Sequence, residues 1–191
     1  MSPQLILASA SPRRAHILET LGVRFRVVFP RVDESLHSGE AGVAAVERLA
    51  RAKAELVARQ ETLPVLAADT VVLSGGVVFG KPESAAQAAA MLESLSGREH
   101  EVVSGVCLVS RGNVLSGVER TGVVFDVLSQ EEVDWYVATG EPSDKAGAYH
   151  LDGLGALFVK SVVGSPSNVA GLPVRLFRRL AQDAGLSLGL A

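Results

Sequence analysis

Short strand-like runs alternate with helical patterns along most of this chain of 191 residues. The runs "QLILA", "FRVVFP" and "PVLAADTVV" are rich in aliphatic and β-branched residues, which favour strands. Between the last two runs, residues 43–60 space their apolar side chains as in a long amphipathic helix. This alternation is typical of an α/β fold, in which helices cover the faces of a sheet.

Capping residues and glycines mark the ends of the other predicted elements. Gly22 is typical of the residue that follows a helix, here over residues 12–21. Further helices are predicted after Ser84, after the capping box of Ser129 and Glu132, and over residues 172–184. Further strands are predicted over 99–111, 114–128 and 156–164, and a hairpin turn at Gly75-Gly76. Residues 141–155 are predicted to form a loop, and the tail from Gly185 is predicted to fray. Neither a repeat nor a low-complexity linker interrupts this order, so we expect a single domain over residues 1–191.

The composition excludes several classes of protein. A net charge of -3 argues against a nucleic-acid-binding protein. The single cysteine, Cys107, rules out an internal disulfide and a CxxC metal site, and its apolar neighbours predict a buried thiol. The first apolar run is too short for a membrane span, and no basic region precedes it. We therefore expect a cytoplasmic protein whose partners include neither nucleic acid nor a membrane.

Two arginines in the first turn of a predicted helix raise a question of charge. Ser11 and Pro12 are typical of a helix start. Arg13 and Arg14 then lie at an N-terminus that already carries a partial positive charge. A phosphate bound to the free backbone N–H groups would give both arginines a partner. The alternative is an ordinary cap, with the arginines reaching carboxylates elsewhere.

Lys81 belongs to a stretch that resembles the front of a P-loop. Residues 75–81 fit G-x-x-x-x-G-K, but Pro82 follows where that motif needs a hydroxyl group. Proline also disfavours the helical conformation for Lys81. We therefore reject a P-loop and interpret Lys81 either as a single phosphate ligand or as a surface lysine.

Acidic residues supply the candidates for a metal ligand or a catalytic base. In "LAADT", Asp69 is predicted at the end of an apolar strand, where ligands bind in α/β folds and a carboxylate can hold a cation or position water. A turn-forming aspartate is the alternative. Asp33 and Glu34 form an acidic pair in a loop, and most cations of the long helix, Lys53 and three arginines, are expected to be solvated. The histidines lack metal-ligand spacing and no serine lies in G-x-S-x-G, so we predict neither a zinc site nor a serine triad.

Eight motifs occur in the order and at the spacings of a known family. They are "LASASPRR", "VDE", "RLARAKA", "LAADTVV", "GKP", "ML" followed by "LSG", "DKAGAY" and "GLP". This set resembles the Maf family of nucleoside triphosphate pyrophosphatases over nearly the whole chain. The resemblance implies an α/β fold with an elongated mixed β-sheet flanked by helices and two lobes around a central cleft, similar to the inosine triphosphate pyrophosphatases.

The resemblance also implies a reaction and a set of site residues. Members hydrolyse a nucleoside triphosphate to the monophosphate and pyrophosphate with a divalent metal, here expected to be Mg²⁺ or Mn²⁺. Asp69 corresponds to the proton acceptor that activates water, and with Glu34 it is assigned to the metal. Lys53 and Lys81 are assigned to catalysis, where they neutralise phosphate charge. The triphosphate is assigned to the S-x-S-P-R-R segment, through Ser9, Ser11, Arg13 and Arg14.

The choice of nucleobase is expected to depend on a few positions. Arg13, Thr70 and the "DKAGAY" motif with Lys145 match the dTTP/UTP subgroup of the family. Asp152, however, stands where that subgroup has glutamine. Thr70, Lys145 and Asp152 are therefore expected to contact the substrate, and Asp152 leaves a relaxed or purine preference open.

The sequence thus predicts a metal-dependent pyrophosphatase that favours dTTP and UTP and also removes modified pyrimidine triphosphates. The resemblance implies a homodimer and a house-cleaning role that the family's name connects with septum formation. The alternative is a nucleotide-binding regulator of septum formation with incidental hydrolysis. Asp69, Glu34 and Lys81 argue against a pure binding protein, and a P-loop NTPase would release orthophosphate instead of pyrophosphate.

Overall fold

The computed structural model describes residues 2–188 and has a mixed α/β architecture. Its strands are β1 (Leu5–Ala8), β2 (Phe25–Val28), β3 (Val65–Ser74), β4 (Val77–Phe79), β5 (Glu99–Ser110), β6 (Asn113–Phe125) and β7 (Val159–Val163). Its helices are α1 (Pro12–Thr20), α2 (Gly42–Ala58), α3 (Ala85–Leu95), α4 (Gln130–Ala138), α5 (Pro166–Val169) and α6 (Val174–Asp183).

The strands form one mixed sheet in the order β2-β1-β3-β5-β6-β7, with β4 paired to β3. β1 is parallel to both β2 and β3, whereas the pairs β3–β4 and β6–β7 are antiparallel. The predicted α/β class, with a mixed sheet and flanking helices, is confirmed. Across the described residues no helix is both long enough and apolar enough to cross a membrane.

Residue contacts divide the chain into two compact units. Unit 1 comprises Met1–Asp69, Ser104–Glu119 and Gly171–Ala191, and unit 2 comprises Thr70–Val103 and Arg120–Ala170. Each unit has its own apolar core, described separately below.

Unit 1 buries both faces of its parallel strands. In β1, Leu5 and Leu7 pack in a cluster with residues of α1 and α6, whereas Ile6 and Ala8 pack in a second cluster with residues of α2. Successive side chains of a strand point to opposite faces, so α1 and α2 cover different faces of the sheet. A strand covered on both faces has no solvent-facing positions, which explains why "LILA" is apolar throughout.

Unit 2 has a core rich in aromatic rings. Phe125, Tyr136, Tyr149 and Phe158 are buried there with apolar residues of α3 and α4. His100 joins this core: its Nε2 lies 3.0 Å from the Tyr149 hydroxyl, and burial lowers the pKa of His100 to about 4.

The capping signals at Ser84 and Ser129 are confirmed, but several boundaries differ from the sequence predictions. Ser129 and Glu132 form the predicted capping box, and Gly75-Gly76 turns β3 into β4. The predicted strand over 156–164 begins only at Val159, because Leu154–Phe158 forms a 3₁₀ helix. The predicted loop over 141–155 contains the 3₁₀ helices Glu141–Asp144 and Ala146–Ala148, and α5 was not predicted. The last three residues of the tail that was predicted to fray lie outside the described residues.

Candidate active site

Unit 1 brings three segments to the carboxyl ends of its parallel strands. Ser9 follows β1, and the segment that contains Glu34 follows β2. Asp69 lies within β3, which continues to Ser74 because it pairs there with β4. The prediction that Asp69 ends a strand is therefore wrong for β3 as a whole. The parallel pairing with β1 nevertheless reaches only Leu66, so Asp69 lies just past the parallel part of the strand, where ligands bind in α/β folds.

Lys53 places its ammonium group between two carboxylates. Its Nζ lies 2.5 Å from Asp69 Oδ1 and 2.8 Å from Glu34 Oε1. The side chains of Lys53 and Asp69 are only 7% and 12% exposed, whereas that of Glu34 is 58% exposed. A charge removed from water needs a charged partner, and each of the two buried charges has one. Lys53 is therefore not a solvated helix cation, and Glu34 offers the same ammonium a partner that solvent can reach.

Helix α2 positions Lys53 by lying directly on the backbone of β5. A Cβ atom built on Gly105 of β5 would overlap the carbonyl oxygen of Val46 and lie 2.7 Å from the backbone nitrogen of Glu47. Only glycine permits this approach, since any side chain would push the helix away. The contact sets the distance of α2 from the sheet, and Lys53 extends from the same helix to Asp69.

Two arginines, Arg13 and Arg14, make the start of α1 positively charged. The Arg14 Nε atom donates to the Gly171 carbonyl at 2.8 Å, and its NH1 donates to Ser9 Oγ at 3.2 Å. Burial lowers the pKa of Arg14, nearby Asp69 and Glu34 raise it, and Arg13 lowers it further. The charges of Arg13, Asp69 and Glu34 therefore all act on Arg14, and α1 has no acidic residue in its first turn to offset the two arginines. The arrangement favours an anion at this helix N-terminus.

Ser11 contributes differently from the sequence prediction. It occupies the N-cap position of α1, but its side chain makes no hydrogen bond to the helix. Its backbone N–H instead donates to Ser9 Oγ at 3.1 Å. Ser9 is buried and accepts from both Ser11 and Arg14, so it connects the end of β1 to the first turn of α1.

The segment that carries Glu34 is held by an ion pair that the sequence analysis missed. Arg48 of α2 donates through Nε to Glu40 Oε1 at 2.6 Å and through NH2 to Glu40 Oε2 at 2.7 Å. These hydrogen bonds lower the pKa of Glu40 to about 2 and raise that of Arg48. No helical or strand period relates a loop residue to a helix residue eight positions later, so the pattern of the sequence carries no signal for this pair.

The acidic pair of the same segment divides its roles. Asp33 Oδ1 accepts the backbone N–H of Ser35 at 2.9 Å and so forms a turn, whereas Glu34 reaches Lys53. The hydrogen bond from Ser35 lowers the pKa of Asp33. Of the two neighbouring carboxylates, the structure therefore brings only Glu34 to the Lys53 ammonium.

The carboxylates of Glu34 and Asp69 fit a divalent cation by the chemistry of their donor atoms. Both supply hard oxygen ligands beside the same ammonium. Mg²⁺ is commonly bound by one or two carboxylates together with waters and substrate phosphates. Among residues 2–188, no three or more His, Cys, Asp or Glu side chains are placed to hold a metal ion. The donor set therefore suits an ion that completes its shell with substrate and water, and it does not form an all-protein cage.

The other predicted site residues belong to unit 2. The backbone N–H of Gly147 donates to the Gly80 carbonyl at 3.0 Å, which joins the segments that carry Lys145 and Lys81. The Lys81 side chain is exposed, and Lys145 pairs with Asp144. Thr70 follows Asp69 in β3 and, by strand geometry, points to the opposite face, while Asp152 is exposed. The roles of Thr70, Lys81, Lys145 and Asp152 stay predictions.

Comparison with known proteins decides the family. Residues 4–184 match the family described as Maf-like protein. The chain belongs to the Maf-like family. Among its curated Maf-like relatives, the dTTP/UTP pyrophosphatase of Myxococcus xanthus (strain DK1622) is 50% identical over 185 residues, which cover 96% of this chain and 94% of that protein. The dTTP/UTP pyrophosphatase of Anaeromyxobacter sp. (strain Fw109-5) is 49% identical over 190 residues, covering 97% and 91%.

Solved structures also resemble part of this chain. The Staphylococcus aureus Ham1 protein matches 72% of this Maf-like chain and 97% of its own, with a TM-score of 0.44 and 16% sequence identity.

Proposed function

We propose that this Maf-like protein hydrolyses nucleoside triphosphates to nucleoside monophosphates and pyrophosphate, with dTTP and UTP preferred. The observation that carries the proposal is the Lys53 ammonium between Asp69 and Glu34, beside the arginines that begin α1. This arrangement combines a site for phosphate anions with carboxylates that suit a metal ion and a proton acceptor. The names of the two relatives described above support the same reaction and the same substrates.

In this proposal the triphosphate binds at the N-terminus of α1. Its negative oxygens accept from backbone N–H groups and from Arg13 and Arg14, with Ser9 beside them. The Gly171 carbonyl holds the Arg14 guanidinium in place before substrate arrives. A preorganised cation loses little freedom on binding, so more of its interaction energy is left for the transition state.

Asp69 acts as the proton acceptor for the attacking water. The water oxygen forms a bond to the α-phosphorus, the bond from that phosphorus to the bridging oxygen breaks, and pyrophosphate leaves with the electron pair. Lys53 holds Asp69 Oδ1, which orients the carboxylate and leaves Oδ2 to accept the proton from water. Glu34 and Asp69 would hold Mg²⁺ or Mn²⁺, which supplies charge stabilisation at the phosphate oxygens when bound.

A relaxed or purine base preference is the second candidate, and Asp152 favours it. The pairing edge of uracil and thymine presents an acceptor, a donor and an acceptor, and a glutamine amide can both donate and accept there. A carboxylate only accepts, so its second oxygen would face a base carbonyl. Guanine instead presents two adjacent donors, which a carboxylate can accept together.

The proposed biological role is to clear modified nucleoside triphosphates from the nucleotide pool. The family's name also connects this role with septum formation.

A panel of nucleoside triphosphates tests the proposal. The purified protein is incubated with dTTP, UTP, dCTP and GTP, each with Mg²⁺ or Mn²⁺, and pyrophosphate, orthophosphate and the nucleotide products are measured separately. We expect pyrophosphate and the monophosphate, fastest from dTTP and UTP, and no product after the metal is chelated. Release of orthophosphate and a nucleoside diphosphate would contradict the proposed pyrophosphate-releasing reaction. Nucleotide binding without turnover would instead favour a nucleotide-binding regulator of septum formation.

A further inference from the structure

We propose that Arg48 is a positioning residue for the reaction: through Glu40 and the Ser35 carbonyl it holds the loop that brings Glu34 to Lys53. The inference rests on the proposed function, because it concerns how Glu34 is presented to a triphosphate and its metal. It adds a residue that does not itself contact the reacting groups.

The loop needs an anchor because it has no regular structure of its own. Residues 29–41, between β2 and α2, contain neither helix nor strand. Glu34 lies in the middle of this segment and is more than half exposed. An irregular exposed segment has many accessible conformations, and holding it in one of them costs conformational entropy. The 2.8 Å contact of Glu34 with Lys53 therefore depends on something that restricts the loop.

Arg48 restricts it at two points. The guanidinium forms a two-bond fork with the Glu40 carboxylate, and its NH2 also donates to the Ser35 carbonyl at 3.0 Å. Glu40 Oε2 in turn accepts the His37 backbone N–H at 3.0 Å. Paired bonds of this kind fix the orientation of both planar groups as well as their distance. Because Ser35 is the immediate neighbour of Glu34, the hydrogen bond from Arg48 to the Ser35 carbonyl limits where Glu34 can lie, and the fork to Glu40 fixes the guanidinium that donates it.

The anchor and the target are parts of one helix. Arg48 and Lys53 both extend from α2, five residues apart, which is about 7.5 Å along a helix axis. A single rigid element therefore carries the group that holds the loop and the group that Glu34 must meet. Rigid elements place such groups more accurately than loops do.

A merely stabilising ion pair would behave differently. A pair that only stabilised the fold would, when removed, lower the melting temperature and leave kcat/KM of the folded protein and its Mg²⁺ requirement unchanged; the side chains of Arg48 and Glu40 are 29% and 11% exposed, so some loss of stability is expected in either case. A positioning pair instead lowers activity while the protein stays folded. Arg51 supplies a matched control, because it lies on the same helix and makes a 3.5 Å pair with Glu55, outside the candidate site.

The first measurement compares steady-state hydrolysis of dTTP by Arg48→Ala, Arg48→Lys and Arg51→Ala over a range of Mg²⁺ concentrations. Arg48→Ala should lower kcat/KM by about 10–100-fold and raise the Mg²⁺ concentration required, the range for residues that orient a ligand of a metal. Arg48→Lys, which keeps the charge but loses the fork, should recover only part of this loss. Arg51→Ala should match the wild type in activity and melting temperature, whereas Arg48→Ala should also melt at a lower temperature because Glu40 is only 11% exposed and loses its partner; kcat/KM is therefore compared at a temperature where circular dichroism shows every variant folded.

The second measurement repeats Arg48→Ala in a Glu34→Gln background. If Arg48 acts through Glu34, the double variant is no slower than Glu34→Gln alone. Losses that multiply would show that Arg48 acts independently of Glu34 and would overturn the inference. A wild-type protein that releases no pyrophosphate would instead contradict the proposed function itself.

The third measurement does not depend on activity. The His37 amide hydrogen, which is bonded to Glu40, should exchange with solvent faster in Arg48→Ala than in the wild type or Arg51→Ala. Circular dichroism checks that the variants remain folded. An exchange rate unchanged by Arg48→Ala would overturn the inference whatever the enzyme assay shows, since Arg48 would then not hold the loop.

Discussion

At the scale of single residues, the site is organised by the Lys53 ammonium. It compensates the charge of Asp69 in a region with little water, and it also meets Glu34 at the solvent boundary. In the proposed function, a metal ion reaches the exposed carboxylate of Glu34 directly from solvent. The buried one keeps a fixed orientation, which suits a proton acceptor.

Replacing Asp69 with asparagine tests its role as proton acceptor. Asn keeps the shape and one acceptor for Lys53 but cannot take the proton, so turnover of dTTP should fall by about 10²–10⁴-fold, the range for a general base. Lys53 still has Glu34 as a partner, so the variant should fold. Asp183→Asn, at an exposed position of α6, is the control and should keep full turnover. Near wild-type turnover of Asp69→Asn would remove Asp69 from the mechanism.

Replacing Asp152 with glutamine tests how the base is chosen. If residue 152 reaches the base, Asp152→Gln should improve discrimination of dTTP over GTP by about 1–3 kcal/mol, the scale of a buried polar group that gains a partner. The measurement is the ratio of the two kcat/KM values. Identical ratios in wild type and variant would show that residue 152 does not determine the preference.

At the scale of elements, two kinds of contact decide where functional segments lie. One is close packing of a helix backbone on a strand backbone, and the other is a side-chain carboxylate that accepts hydrogen bonds from backbone amides. Gly105 lets α2 rest on β5. In unit 2, the Glu141 carboxylate accepts the Tyr136 hydroxyl at 2.7 Å and the Leu154 and Gly155 amides at 3.1 and 3.0 Å. Burial raises the pKa of Glu141, but these hydrogen bonds outweigh it and lower the pKa. The Glu141 carboxylate thereby holds the first residues of the 3₁₀ helix Leu154–Phe158, which begins two residues after Asp152.

Replacing Gly105 with alanine tests the seating of α2. The added methyl group would meet backbone atoms of Val46 and Glu47, so we expect a loss of stability of about 1–3 kcal/mol, typical of overpacking. Activity should also fall in the folded fraction, because α2 carries both Lys53 and Arg48. Gly117→Ala is the control, since its nearest neighbour is the end of the Leu176 side chain, which can shift more easily than backbone atoms can. Equal melting temperatures and activities for the two variants would contradict this account.

At the scale of the whole molecule, the buried imidazole of His100 makes stability depend on pH. Burial lowers the pKa of His100 from 6.5 to about 4, so the unfolded chain binds a proton more tightly than the folded one. Stability should therefore fall as the pH is lowered from 6.5 towards 4. The loss from this residue should reach about 3 kcal/mol at most.

Unfolding by urea at several pH values checks this expectation. His100→Gln has no titrating group, and its amide can still bond the Tyr149 hydroxyl. Its free energy of unfolding should change less between pH 6.5 and pH 4 than that of the wild type. Parallel pH profiles of the two proteins would show that another group controls acid unfolding.

The sequence by itself determined the α/β class, the family and those boundaries that depend on local signals. Signals such as the Ser129–Glu132 capping box and the Gly75-Gly76 hairpin depend on contacts between near neighbours, so they can be recognised without the fold. The family motifs also indicated Asp69, Glu34 and Lys53 as candidates. The sequence pattern could not show that the carboxylates of Asp69 and Glu34 both meet the Lys53 ammonium.

Only the tertiary structure decided which charged groups meet. Arg48 and Arg51 look alike in the helical pattern, yet one holds the loop of Glu34 and the other makes an exposed pair. The strand pattern over 156–164 likewise could not show that Glu141 captures the Leu154 and Gly155 amides. In both cases the partners come from separate segments of the chain, and the free energy of a charge or an amide depends on the partners that the folded chain places beside it.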